Sequence, residues 1–126
     1  MTDAAAYIVA VRSRLIAHPN IVKIDIRREE VQGYLGLFRY RLLLKNGDML
    51  EAFERFEIEN KMVHVGKYSF QWQNATGELK YRWDNAPHHP EIETHPHHLH
   101  TGAGEIQPHA PVTILDILEK LHDDIF

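Results

Sequence analysis

The sequence predicts an α+β domain in which an antiparallel sheet is flanked by an N-terminal and a C-terminal helix. Three observations predict it: a helical period of apolar residues near each end of the chain, a period of two between them, and short turn signals between the predicted strands. Parallel neighbours need crossovers of a dozen residues or more, so strands joined by short turns form an antiparallel meander. We expect about five strands, followed by a long loop rich in histidine and proline.

The composition indicates a single domain, residues 1–126, of ordinary globular type. The 18 acidic and 14 basic residues give a net charge of −4, so any nucleic-acid contact must come from a local basic patch. Cysteine is absent, which excludes disulfides, thiolate nucleophiles and cysteine-ligated zinc. The N-terminal apolar run lacks the basic region of a secretory signal, and no segment is apolar enough to span a bilayer. We therefore expect a cytoplasmic protein without a membrane partner.

The helices have recognisable boundaries. Thr2 or Asp3 can cap a first helix that ends near Ala17, where His-Pro-Asn follows. Its apolar stripe should pack on the apolar face of the sheet. The helical period returns after Pro111, with Thr113 as an N-cap, and this second helix should close the domain.

The strands are predicted from alternation and turn residues. Val22, Ile24 and Ile26 alternate with charged residues, as a half-buried strand requires. A second strand runs from Phe38 to Leu44, and Asn46-Gly47 predicts a tight hairpin turn. The third, fourth and fifth strands are predicted at residues 48–58, 62–73 and 78–83.

Glu54 interrupts the apolar face of the third strand. Either a bulge or an edge position turns it away from the core, or it is a buried carboxylate that needs a cationic partner. We favour the bulge or edge position, because bulges commonly shift the register of a strand.

The same alternation gathers charge on the solvent face of the sheet. Arg39, Arg41, Lys80 and Arg82 should point the same way, with Asp84 at the end of the row. One interpretation is a solvated face whose cations pair with neighbouring carboxylates. The other is a surface that holds phosphate if the histidine-rich loop folds over it.

Six of the ten histidines lie between residues 81 and 100, and three interpretations of them stay open. Imidazoles titrate near neutral pH, so a pair of them beside an arginine could cleave a phosphodiester without metal. Alternatively, His98-Leu99-His100 places two imidazoles on one side of an extended segment, where His88 or His89 would complete a metal site. In the third interpretation the imidazoles satisfy backbone carbonyls and stack on aromatic side chains.

The run YRWDNAPHHPEIETHPHHLH resembles the TumE-like toxins of bacterial toxin–antitoxin modules, which carry a similar RYDNAPHHP segment followed by PHHxH. The resemblance covers nearly the whole chain, and Asp-Asn-Ala-Pro-His-His-Pro is its most specific part. Trp83 stands where the family usually has tyrosine. The resemblance implies a toxin restrained by a neighbouring antitoxin, and ribonuclease action is the expectation for small toxins of this kind. The motif positions in this sequence are Arg82, Asp84, Asn85, His88, His89, His97, His98 and His100.

Together these observations predict an RNA-cleaving toxin that needs no metal or other cofactor. One histidine would deprotonate a ribose 2′-hydroxyl, another would protonate the leaving oxygen, Arg82 would hold the phosphate and Asp84 would orient an imidazole. The alternatives are a non-enzymatic module that binds a protein partner and a metal-dependent phosphodiesterase with histidine ligands. The expected partners are a cognate antitoxin and RNA, and the sequence leaves the oligomeric state open, a homodimer included.

Overall fold

The computed structural model describes residues 2–123, and within them it contains two helices and seven strands. All seven strands form one antiparallel sheet in chain order. The predicted α+β meander is therefore confirmed, but the predicted number of five strands is wrong. The elements are α1 (Ala4–Ala17), β1 (Ile21–Gln32), β2 (Leu35–Leu44), β3 (Met49–Glu59), β4 (Met62–Gln73), β5 (Leu79–Asp84), β6 (His98–Thr101), β7 (Ile106–Pro108) and α2 (Ile114–Asp123).

Helix α1 begins at its predicted cap. The Asp3 carboxylate accepts a hydrogen bond from the Ala6 N–H at 2.9 Å, which satisfies one of the free donors of the first turn. Helix α2 begins after Thr113, whose N–H donates to the Asp116 carboxylate at 2.8 Å. Neither described helix is long and apolar enough to cross a lipid bilayer.

The core lies between one face of the sheet and the two helices. Helix α1 buries Tyr7, Ile8, Val11 and Leu15 against the sheet, as the period predicts, but Ile16, the fifth residue of the predicted stripe, is 74% exposed. The sheet contributes mainly aromatic and leucine side chains to the core. Helix α2, near the C-terminus, buries its apolar side chains in the same core. The largest fully buried side chains are Trp72, Tyr40, Phe38, Phe70, Leu15, Leu42, Leu44, Leu50, Ile114, Ile117, Leu121 and Glu54.

Glu54 is the one carboxylate among those fully buried side chains, so the predicted bulge or edge position is wrong for it. Strand β3 is central, and Glu54 keeps the inward alternation of its apolar neighbours. Its partners are neutral donors rather than a cation: the Tyr7 hydroxyl donates to Oε1 at 2.7 Å and the Ile114 N–H donates to Oε2 at 2.6 Å. One carboxylate thus links β3 to both helices.

Two other side chains leave their predicted positions at bulges, and Ile26 is exposed without one. Val22 lies at the register shift between Ile21 and Lys23 and is 58% exposed, whereas Ile26 pairs directly with the buried Tyr40 and is 50% exposed on the edge strand β1. Lys80 lies at the irregularity between β4 and β5 and donates to the Asp48 carboxylate at 2.7 Å. It therefore does not join the arginines of the solvent face. The Asn46-Gly47 turn is confirmed, since Gly47 has a φ of 90°.

The two additional strands arise within the predicted loop. Residues 85–97 leave β5 as an irregular connection, and the chain then returns as β6 beside β5 and as β7 beside β6. The histidine-rich segment is thus partly sheet, and its second half is held by the backbone hydrogen bonds of the ladder.

Candidate functional site

The pairing of β5 with β6 assembles the centre of the site. Asp84 lies opposite His98 and Arg82 lies opposite His100, while Trp83 pairs with Leu99 between them. Because side chains alternate between the faces of a strand, the charged pairs share the outer face. Trp83 and Leu99 face inward onto the core. The register of two strands therefore gathers one carboxylate, one guanidinium and two imidazoles.

Asp84 is the buried centre of this group, with only 5% of its surface exposed. Its Oδ1 lies 2.9 Å from His98 Nε2 and accepts the Ala86 N–H at 3.1 Å. Its Oδ2 accepts Arg82 Nε–H at 2.8 Å and lies 3.8 Å from His100 Nε2. Both oxygens therefore have donors, which is what a buried carboxylate requires.

His98 is fixed on both sides of its ring. It is 3% exposed, and its Nδ1 lies 2.8 Å from the Pro96 carbonyl oxygen while its Nε2 faces Asp84. Both partners are acceptors, and a neutral imidazole has one N–H to donate to either of them. Both nitrogens of this imidazole are therefore occupied by protein acceptors.

His89 and His100 complete the cluster and remain accessible. Their rings are 5.8 Å apart, and each also lies edge-on to His98, at 5.2 and 4.8 Å. Their side chains are 25% and 28% exposed. They line a cavity of about 340 Å³ together with Arg82, Asp84, Ala86, His88 and His98.

The two accessible imidazoles have different electrostatic surroundings. Burial, His98, Arg82 and His89 lower the pKa of His100, although Asp84 acts in the opposite direction. His89 Nδ1 instead lies 3.3 Å from Glu91 Oε1, and the pKa of this exposed carboxyl is held below its usual range by a backbone hydrogen bond and by His89. His100 is thus biased towards the neutral form, whereas His89 has a carboxylate as its neighbour.

Arg82 is oriented by two acceptors. Its Nε donates to Asp84, and its Nη1 donates to Gln71 Oε1 at 2.9 Å. Those two bonds leave part of the guanidinium fork free to donate to a ligand in the cavity.

Two of the motif residues lie outside the cavity. The Asn85 carboxamide ties the end of β5 to β4, because its Oδ1 accepts the Tyr68 N–H at 3.1 Å and its Nδ2 donates to the Gly66 carbonyl at 3.0 Å. His97 stacks on Tyr68, and its Nδ1 lies 2.8 Å from the tyrosine hydroxyl. The structure therefore brings together Arg82, Asp84, His88, His89, His98 and His100, and separates Asn85 and His97 from them.

Sequence reasoning missed two supporting residues, Gln71 and Glu91. Gln71 pairs directly with Arg82 in the β4–β5 register, so the strand alternation could have placed it on the outer face. Glu91 follows His89 by two residues, and no periodic pattern in that irregular segment indicates which way it points.

A family model described as Toxin TumE matches residues 11–125 of this chain. The match spans nearly the whole described fold, including every residue that lines the cavity. Comparisons with curated proteins and with solved structures found no match.

Proposed function

This chain belongs to the TumE toxin family, and we propose that it acts by cleaving RNA at the cavity between β5, β6 and residues 85–97. The single observation that supports cleavage most directly is that two accessible imidazoles and a guanidinium meet in that cavity around one buried carboxylate. A surface that only bound a protein would need no such convergence. As a toxin of a toxin–antitoxin module, the chain has an antitoxin as its implied partner.

In the proposed reaction His100 is the general base. Asp84 favours a hydrogen on His100 Nε2, which leaves Nδ1 with the lone pair that accepts the ribose 2′-hydroxyl proton. The 2′-oxygen then attacks phosphorus, and a 2′,3′-cyclic phosphate forms as the bond to the 5′-oxygen breaks. The lowered pKa of His100 keeps this imidazole unprotonated at neutral pH.

His89 is the general acid of the same reaction. Its Nδ1 lies 3.3 Å from Glu91 Oε1, and in the proposed reaction the imidazolium donates a proton to the departing 5′-oxygen. Arg82 donates to the phosphate oxygens as negative charge develops on them. Asp84 and His98 touch no substrate and hold Arg82 and His100 in place, so they are positioning residues.

RNA cleavage by matched histidine variants tests the proposal. We expect purified protein to cleave RNA in excess chelator, and His100→Ala or His89→Ala to slow cleavage by about 10²–10⁴-fold, the usual contribution of a general acid or base. His64→Ala is the control, because this exposed histidine on β4 lies outside the cavity. Intact RNA at every protein concentration, or equal cleavage by all three variants, would rule out the metal-free mechanism.

A metal-dependent phosphodiesterase is the second candidate, and one observation favours it. Ligand nitrogens of His89, His98 and His100 all lie within 4.8 Å of one another. The Pro96 carbonyl beside His98 Nδ1 would direct Nε2 towards a cation, as backbone partners of ligating histidines commonly do. Cleavage that stops in chelator and returns with zinc or manganese would select this candidate.

A further inference from the structure

A second cavity, of about 370 Å³, lies on the outer face of the sheet and shares Arg82 with the cavity of the site. Each of the strands β1 to β5 contributes one cation to its lining, and the lining contains a single carboxylate. The cations are Arg28, Arg39, Arg55, Lys67 and Arg82, and the carboxylate is Glu51. The chain as a whole has a net charge of −4, so this is a local concentration of positive charge on an acidic protein.

The strand register aligns this basic groove with the histidine cluster. One transverse row of directly paired residues crosses six strands and ends in the site, and its members in order are Arg28, Arg39, Phe53, Ser69, Asp84 and His98. Neighbouring strands are about 4.8 Å apart, so the four intervals from β1 to β5 span roughly 19 Å. The groove is therefore long enough for several phosphates of one strand that enters the site.

Arg55 and Lys67 are the two cations of the groove that have no carboxylate partner within the described part of the chain, unlike the paired cations of an ordinary solvated sheet face. They are direct cross-strand partners, both are exposed, and neither has an ion pair among residues 2–123. Like charges directly opposite each other destabilise a sheet, so the pair has an energetic cost that a bound anion would remove. Arg28 and Arg39, by contrast, pair with Glu30 and Glu51 at 3.0 Å.

We infer that this groove binds the phosphate backbone of single-stranded RNA and leads it to the cleavage site. The inference rests on the proposed ribonuclease function for the identity of its ligand. Arg55 and Lys67 supply contacts that lie outside the histidine cluster. Phe53 is 5% exposed and lies beneath Arg39, so the groove offers cations rather than an open stacking surface. Binding is consequently tolerant of base sequence and strongly dependent on salt.

A single-stranded DNA oligonucleotide tests the groove without cleavage, because it has the phosphates but no 2′-hydroxyl. Its affinity is measured by fluorescence anisotropy between 50 and 200 mM salt for the intact chain and for the Arg55→Gln, Lys67→Gln double variant. We expect the double variant to bind on the order of tenfold more weakly, with a slope of log affinity against log salt that is shallower by about 1.4. The matched control is Arg14→Gln, Lys23→Gln, which removes two exposed cations outside the groove and should bind as the intact chain does.

The outcomes distinguish RNA binding in the groove from RNA cleavage at the site. Equal affinity and salt slope for the double variant and the control overturn the inference that the groove binds the phosphate backbone, even if the intact chain cleaves RNA. Groove-dependent binding of the oligonucleotide without cleavage of RNA supports the groove and refutes the ribonuclease. Groove-dependent binding of polyglutamate but not of the oligonucleotide overturns the inference in favour of an acidic protein partner.

Discussion

Replacing Glu54 by glutamine should change the pH dependence of stability, because this carboxyl is fully buried in the core. Burial raises the pKa of Glu54 to about 7, against 4.5 in an exposed carboxyl, although the bonds from Tyr7 and Ile114 act in the opposite direction. Between pH 4.5 and about 7 the folded state therefore binds a proton that the unfolded chain has released. Stability from this group is fully present below pH 4.5 and is lost as the pH rises to about 7.

The size of the effect follows from that difference in pKa. At about 1.4 kcal/mol per pH unit, ionising Glu54 costs the folded state about 3 kcal/mol. Glutamine has nearly the same shape and can still accept from the Ile114 N–H and bond to the Tyr7 hydroxyl. Glu54→Gln should match the intact chain near pH 4.5 and exceed its free energy of unfolding by about 3 kcal/mol at pH 8.

Urea denaturation of the two proteins at a series of pH values measures this difference. Glu57→Gln is the matched control, because Glu57 is an exposed glutamate on the same strand and should retain the pH dependence of the intact chain. Parallel curves for the intact chain and Glu54→Gln would show that the carboxylate is already ionised in the fold, and the argument from burial would fail.

Two further substitutions test contacts at the ends of β3 and β6. Asp48→Ala should lower the free energy of unfolding by about 1–3 kcal/mol, because it leaves the buried Trp72 Nε1–H without its acceptor at 3.0 Å; thermal or urea denaturation measures the loss. Gly102→Ala should cost about 1–3 kcal/mol, since a Cβ would lie 2.5 Å from the Leu79 carbonyl oxygen and push β6 away from β5. Gly66→Ala is its control, with no backbone atom closer than 4.0 Å, and equal losses for the two glycine variants would contradict the steric explanation.

The sequence predicted those elements whose apolar period is long. Helix α1 and strands β2 to β4 each carry several apolar residues at the right spacing, so their positions and buried faces could be derived directly. Strand β6 contains four residues with Leu99 as its one apolar side chain, and β7 contains three and ends in proline. Neither is long enough to show a period. Strand β6 forms because its backbone pairs with β5, and its own sequence does not indicate a strand.

The errors have a common physical origin in non-local contacts. Glu54 is buried because the Tyr7 hydroxyl and the Ile114 N–H reach it from helices 47 and 60 residues away in the chain, and no local pattern encodes that meeting. Lys80 and Val22 were misplaced because bulges depend on the neighbouring strand. The candidate site behaves in the same way: the motif indicated its residues, but the β5–β6 register and the fold of residues 85–97 decide which of them face one another.

The alternation of His98, Leu99 and His100 makes the site sensitive to chain length as well as to side-chain chemistry. A strand that slips by one residue exchanges its faces, so a deletion inside β6 would direct the imidazoles into the core and Leu99 into solvent. A deletion among residues 90–95 leaves the faces of β5 and β6 unchanged, since both ends of the connection stay paired in the sheet, although it can displace Glu91 from His89. Folding should thus tolerate insertions and deletions in the connection better than in the four residues of β6, a pattern that a length-variant library can measure.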